Sequence, residues 1–182
     1  AHVLRQLYGS NASHIRARRG AWKQALESFG QRFGYDRDVL LVRAPGRADL
    51  VGMHIEHQGG TQNHVLLSRE VIVVVSKTTS GQIRIENCSP QHEAYVTGIH
   101  QERIVSALPS STSTAWWPYL VGVLENLPPS VLTPADVLVW SDLPEAATLG
   151  SSSALCVALS VAMHALHGIP INAHEMVRMV DK

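Results

Sequence analysis

The segment of residues 142–166 constrains the fold most, because a loop of small residues leads there into a strongly apolar helix. Leu155, Leu159 and Met163 recur at helical spacing, and Val157 and Val161 cover other faces of the same helix. A helix that is apolar nearly all round is a buried helix. Residues 137–140, before the loop, are rich in strand-forming residues. The segment therefore predicts a strand, a loop and then a core helix that ends near residues 166–170.

The rest of the chain predicts a mixture of helices and strands. Ser13 is a plausible N-cap for a helix that runs toward Gly34. Further helices are expected at residues 117–127 and from about Ala173, with strands at residues 39–42, 71–76 and 83–87. Pro45 and Gly46 are expected to interrupt regular structure after the first strand. Because the order is not a strict β-α-β-α alternation, the pattern favours the α+β class.

Composition restricts the class of protein further. Hydrophobic residues make up 45% of the 182 residues and charged residues 16%, which is enough for a substantial core. Fifteen basic residues balance fifteen acidic ones, so neither nucleic acid nor a membrane surface is indicated as a partner. Two isolated cysteines and the lack of a long apolar run predict a cytoplasmic protein without structural disulfides.

The loop before the core helix has the chemistry of an anion site. Gly150, Ser151, Ser152 and Ser153 stand at the predicted helix N-terminus, where free backbone N–H groups and the helix dipole favour negative charge. Small residues allow a polyphosphate to approach, and a serine hydroxyl can complete a Mg²⁺ shell. Two alternatives remain at this point. The serines could simply cap the helix, or Ser152 could be the nucleophile of a hydrolase elbow, although Pro144 and its neighbours make the connection long for that motif.

Residues 44–60 form the second dense motif, in which proline and glycines carry a concentration of polar side chains. These candidate binding residues are Arg47, Asp49, His54, Glu56 and His57. Alternating donors and acceptors suit a polyol, and an arginine can offset phosphate charge. The alternatives are an exposed surface loop and a metal site at His54, Glu56 and His57, whose spacing does not match a known zinc motif.

Together and in this order, the two motifs resemble the GHMP kinases, the family of galactokinase, homoserine kinase, mevalonate kinase and phosphomevalonate kinase. The first motif is similar to the galactokinase pattern A-P-G-R-V-N-L-I-G-E-H-T-D-Y-N-G-G, and the second to P-x-x-x-G-L-G-S-S-A. The matching residues are Ala44, Pro45, Gly46, Arg47, Leu50, Gly52, His54, Gly59 and Gly60 in the first, and Pro144, Leu149, Gly150, Ser151 and Ser152 in the second.

The resemblance implies an α+β GHMP-kinase N-terminal domain, with a fold like the second domain of ribosomal protein S5. It implies an ATP- and Mg²⁺-dependent sugar kinase in which Arg47 acts near the transferred phosphoryl group. ATP would be held by Pro144, Thr148, Leu149, Gly150, Ser151, Ser152 and Ser153, with Ser152 also binding Mg²⁺. The sugar would be held by Arg47, Asp49, His54, Glu56 and His57.

Several positions depart from the galactokinase pattern. Met53 replaces an acidic residue and Glu56 replaces an aspartate, so the resemblance does not identify the sugar as galactose. Thr148 replaces a glycine, and threonine tolerates positive φ poorly, so a change of loop shape is expected there. Asp49 and His57 also stand where the pattern has asparagine and tyrosine.

The resemblance also implies parts that the 182 residues do not contain, including a G-x-x-x-G-G-x-D-like segment with the catalytic aspartate. We therefore expect residues 1–182 to be an incomplete N-terminal ATP- and sugar-binding domain without its C-terminal domain. The polypeptide is expected to lack turnover and to self-associate through apolar surface. The alternative function is a galactokinase-like regulator that binds sugar and nucleotide without catalysis.

Overall fold

The computed structural model describes residues 2–52, 55, 58–100, 103–105, 116–145, 147–172, 174 and 176. The described helices are α1 (His2–Tyr8), α2 (Ala12–Phe33), α3 (Trp117–Asn126) and α4 (Ser151–Ala165). The strands are β1 (Leu40–Val51), β2 (Asn63–Lys77), β3 (Gln82–Asn87), β4 (Tyr95–His100), β5 (Arg103–Val105) and β6 (Ala135–Ser141). Within the described ranges, no helix combines the length and apolarity that crossing a membrane requires.

The six strands form one sheet in the order β1-β2-β6-β3-β4-β5. Strand pairs are antiparallel except for β3 and β6, which run parallel. A mixed, mainly antiparallel sheet with helices confirms the predicted α+β class.

Both faces of the sheet are covered, which explains why residues 71–75 of β2 are an unbroken apolar run. Val71, Val73 and Val75 face the larger core, together with residues of α3 and α4. Ile72 and Val74 face a smaller core against α2. A strand that is buried on both faces has no polar side to alternate with its apolar side. The core helix predicted from the sequence is confirmed as α4, which packs against β1 and β2.

Three local predictions were wrong or incomplete. Asn11, not Ser13, caps α2, because its side chain accepts hydrogen bonds from the backbone N–H groups of Ser13 and His14. Strand β1 continues through Pro45, with a register shift between Pro45 and Arg47. Proline is tolerated there because β1 is at one end of the strand order. The sequence patterns also missed α1, β4 and β5, and the helix predicted from Ala173 lies mostly outside the described residues.

A fully buried carboxylate, that of Glu70 on β2, holds the N-terminal helices to the sheet. The Tyr8 hydroxyl donates a hydrogen bond to Glu70 Oε1 at 2.5 Å, and Arg43 Nε on β1 donates to Oε2. Arg18 on α2 adds a guanidinium nitrogen 3.7 Å from Oε1. A buried charge is tolerated only when it is paired and hydrogen-bonded in this way. Glu70 therefore fixes α1, α2 and β1 relative to one another.

This cluster raises the pKa of Tyr8 to about 12, through burial first and then through the hydrogen bond to Glu70. Because the pKa in the folded state exceeds the ordinary value of 10.0, the contribution of the neutral phenol is complete below pH 10 and is lost as pH rises toward 12. Tyr8→Phe should lower the free energy of unfolding by about 1–3 kcal/mol near pH 8. It should also flatten the fall in stability between about pH 10 and pH 12.

Denaturant unfolding at several pH values measures both effects. The matched control is Tyr35→Phe, since Tyr35 is 73% exposed and its change should leave stability and its pH profile as they are. Equal behaviour of the two variants would contradict the assigned role of the Tyr8 hydroxyl.

Candidate functional site

The loop of residues 142–150, called the serine loop because three serines follow it, enters α4 without a side-chain cap. Gly150 is the N-cap residue in a left-handed conformation with φ 69°, and among the described residues no side chain bonds to the first helical N–H groups. The alternative in which the serines merely cap the helix is therefore wrong. Ser151, Ser152 and Ser153 are half-buried residues in the first turn of α4, next to N–H groups that an anion can use.

The structure joins this loop directly to the first motif. The backbone N–H of Arg47 on β1 donates to the carbonyl oxygen of Leu149 at 2.9 Å. A Cβ atom placed on Gly150 would lie 2.9 Å from an Arg47 guanidinium nitrogen, and one on Gly46 would lie 2.3 Å from the Leu143 side chain. A Cβ atom on Gly46 would also lie 2.9 Å from the Leu149 carbonyl oxygen, so Gly46 is required by close packing. Gly150 is favoured by its positive φ, and the Arg47 cation lies beside the positive end of α4.

Asp49 lies beside Arg47 on β1 and pairs with a histidine that sequence reasoning missed. Its Oδ1 is 2.6 Å from His64 Nδ1 and 3.7 Å from Arg47 Nε. His64 is the cross-strand partner of Asp49 in the β1–β2 register. That register is the signal that would have found His64, because opposite residues on paired strands are in contact.

Thr148 keeps the left-handed backbone that a glycine would adopt at its position. Its φ is 55°, the only positive φ of a non-glycine residue in the ranges that the structure describes. Its hydroxyl donates to the Ala147 carbonyl at 2.7 Å. Threonine is disfavoured in this conformation, so the backbone at Thr148 is locally strained. The change of loop shape expected from the sequence stays a prediction.

The two motifs share the wall of a cleft of about 820 Å³. Predicted site residues that line it are Arg47, Asp49, Thr148, Leu149, Gly150, Ser151, Ser152 and Ser153. Pro144 is exposed and does not line the cleft. Residues that the sequence did not single out also line it, including Gln24, Cys88, Ser89, His92, Trp116, Tyr119, Trp140 and Glu145. The cleft therefore combines a cationic, N–H-rich end with aromatic surface.

Two long-range hydrogen bonds connect residues that line the cleft. His92 Nε2 lies 2.6 Å from Glu145 Oε1, which ties the segment after β3 to the serine loop. The Trp140 indole donates to Gln24 Oε1 at 3.1 Å and ties β6 to α2. These are long-range contacts that local sequence patterns do not reveal.

The remaining predicted sugar-binding residues, His54, Glu56 and His57, lie outside the described residues, as does Met53. The alternative metal site made of these three residues is therefore not tested. In the described part of the chain, no group of three or more His, Cys, Asp or Glu residues could hold a metal ion. Ser152 lies in the first turn of α4 after the loop of residues 142–150, which differs from the sharp turn of a hydrolase elbow.

Comparisons with known proteins agree with the two motifs. Residues 27–77 match the galactokinase galactose-binding signature, and residues 118–182 match the GHMP kinases N terminal domain. The chain is 29% identical to a galactokinase of Streptomyces coelicolor over 158 residues, covering 86% of this chain and 39% of the relative. It is 31% identical to a galactokinase of Roseiflexus sp. over 153 residues, covering 82% and 37%.

Solved structures with low sequence identity share the fold. A Lactococcus lactis galactokinase in complex with galactose superposes with a TM-score of 0.74 at 18% identity, covering 87% of this chain and 40% of that one. The Methanococcus jannaschii mevalonate kinase gives 0.64 at 12% identity, covering 79% and 45%.

The chain spans about two fifths of the length of the curated relatives it matches. Both family matches fall on the segments that meet at the cleft. The chain belongs to the GHMP kinase family and is similar to the N-terminal part of galactokinases.

Proposed function

We propose that this chain is the ATP- and sugar-binding N-terminal domain of a galactokinase-like sugar kinase. The observation that carries the proposal is the meeting of Arg47 with the uncapped N-terminus of α4, through the Arg47–Leu149 backbone bond. A guanidinium beside a row of free N–H groups forms an electrostatic site for a polyphosphate. Phosphoryl transfer depends mostly on such positioning and charge stabilisation.

In this proposal the serine loop holds the phosphates of ATP, and Arg47 approaches the phosphoryl group that is transferred. The Ser152 hydroxyl, which is not used to cap α4, suits Mg²⁺ because that ion prefers oxygen ligands. When bound, Mg²⁺ would neutralise charge on the phosphates. Arg47, Asp49, His54, Glu56 and His57 would hold the sugar, with Asp49 kept in place by His64.

A regulator that binds sugar and nucleotide without catalysis is the second candidate, and the departures from the galactokinase pattern at Met53 and Thr148 support it. Thr148 has a φ of 55°, a conformation that is disfavoured for threonine. Met53 lies outside the described residues. A cytoplasmic location, the absence of a nucleic-acid partner, self-association and the division into an incomplete N-terminal domain stay predictions.

The first prediction concerns MgATP binding to the 182-residue polypeptide. Ser152→Ala should weaken MgATP binding about tenfold while changing the affinity for metal-free ATP little, because the hydroxyl acts through Mg²⁺. Isothermal titration calorimetry with and without Mg²⁺ measures this. The matched control is Ser160→Ala in the same helix, since Ser160 is buried away from the cleft and its change should leave both affinities as they are. The same loss of affinity in both variants would contradict the assignment.

The second prediction concerns turnover. We expect that the 182-residue polypeptide produces no ADP above background with any sugar in a panel of hexoses, because it contains no G-x-x-x-G-G-x-D-like segment to supply a catalytic aspartate. A coupled ADP-release assay measures this, with thermal shift against the same sugars as a readout of binding. Sugar-dependent ADP release from this polypeptide would overturn the expectation.

The third prediction concerns Thr148. Thr148→Gly should leave the free energy of unfolding unchanged or raise it by up to about 1 kcal/mol, because relief of the left-handed strain offsets the flexibility gained by the unfolded chain. Thr61→Gly is the control, since Thr61 is exposed and has no positive φ, and it should lower stability by about 0.5–1 kcal/mol. Denaturant unfolding compares them, and a greater loss of stability in Thr148→Gly would show that no strain is stored there.

A further inference from the structure

Asp142, the first residue after β6, is bonded through every polar group it has. Its Oδ2 accepts a hydrogen bond from Arg18 Nη2 at 2.6 Å, and its Oδ1 accepts one from the Glu70 backbone N–H at 2.8 Å. Its carbonyl oxygen accepts from Arg69 Nη1 at 2.9 Å, and its own N–H donates to the Glu70 carbonyl at 3.3 Å. The chain therefore leaves the sheet at a fixed point and in a fixed direction.

This anchor lies at one end of the serine loop, and the Arg47–Leu149 bond lies at the other. Leu143, next to Asp142, is buried and packs where Gly46 leaves room for it. Gly46 precedes Arg47, so the position of Leu143 bears on the position of the arginine. The residues between the two ends include the strained Thr148, which needs support from its surroundings to keep its conformation.

We propose that Asp142, held by Arg18, is a positioning residue that fixes the serine loop in the shape that binds phosphate. That the loop binds phosphate rests on the function proposed above, whereas the anchoring of the loop by Asp142 does not. Arg18 comes from α2 and is 12% exposed, so the charged hydrogen bond is largely shielded from solvent. Loss of this bond leaves the first residues of the serine loop less firmly held. Leu143 and Leu149 contact the segment of Gly46 and Arg47, so the Arg47–Leu149 hydrogen bond is weakened as well.

A matched control exists at the opposite end of β6. Asp136 pairs with Arg37 at 2.5 Å, and the two side chains are 12% and 20% exposed. The Asp142–Arg18 pair has a nearly equal separation of 2.6 Å and exposures of 24% and 12%. Both pairs join β6 or its end to the region of α2, but only Asp142 adjoins the serine loop. Asp136→Asn thus reproduces the loss of a half-buried ion pair without touching the anchor.

The test is residue-resolved amide hydrogen exchange on the 182-residue polypeptide without ligand. Asp142→Asn and Arg18→Gln should each speed exchange of the Arg47 amide about tenfold or more, since each removes the same charged hydrogen bond. Asn can still accept from the Glu70 N–H, so Asp142→Asn isolates the pairing with Arg18. Asp136→Asn should leave the Arg47 amide as in the wild type. Should Asp142→Asn fail to fold, Arg18→Gln gives the same measurement, because Glu70 keeps Arg43 as a partner.

Binding of ATP and of inorganic tripolyphosphate provides the second readout. Both affinities should fall about tenfold in Asp142→Asn and Arg18→Gln and stay unchanged in Asp136→Asn. Unchanged Arg47 exchange in the two anchor variants would overturn the proposal, and so would equal acceleration in Asp136→Asn. If the wild type binds neither ligand while exchange responds as expected, the proposed function fails and the anchoring stands.

Discussion

The structure depends on the pairing of one buried charge. Glu70 lies on a central part of β2 with no exposed surface, and a carboxylate there is stable only with cationic and hydrogen-bonding partners around it. Those partners come from α1, α2 and β1. The backbone of the same residue bonds to Asp142 in both directions. The requirement to satisfy one carboxylate therefore sets how the N-terminal helices, the sheet and the entry to the serine loop are arranged.

A single backbone hydrogen bond brings the two sequence motifs into one site. Residues 44–60 could form a surface loop, and residues 150–153 could cap a helix, when each is read by itself. The Arg47 N–H to Leu149 bond joins them across about a hundred residues of sequence. A cation and a helix N-terminus then share one wall of a cleft, and this combination attracts anions more strongly than either part.

Sequence patterns predicted the elements whose burial is uniform. Helix α4 and the second half of β2 were found because most of their side chains are apolar and buried in the two cores, and periodicity reports such burial directly. The first half of β2 was missed because it is polar and mostly exposed. Asn11 was missed because Ser13, two residues on, is an equally good cap in isolation. The extent of β1 was missed because a proline is compatible with a strand only at an edge, and strand order is a property of the whole sheet. His64 and Asp142 became visible only through register and tertiary contact.

Pro45 also limits the pairing of strands from other chains with the exposed edge of β1. A strand of twelve residues at the end of a sheet would offer a long row of unpaired backbone groups, which is a template for aggregation. Pro45 has no N–H to contribute, and the irregularities at Pro45/Arg47 and Asp49/Val51 break the even spacing of the edge. These irregularities make β1 a poor surface for strand addition. They also flank Arg47, whose backbone bonds to Leu149, so the contact between the two motifs and the protection from aggregation involve the same few residues.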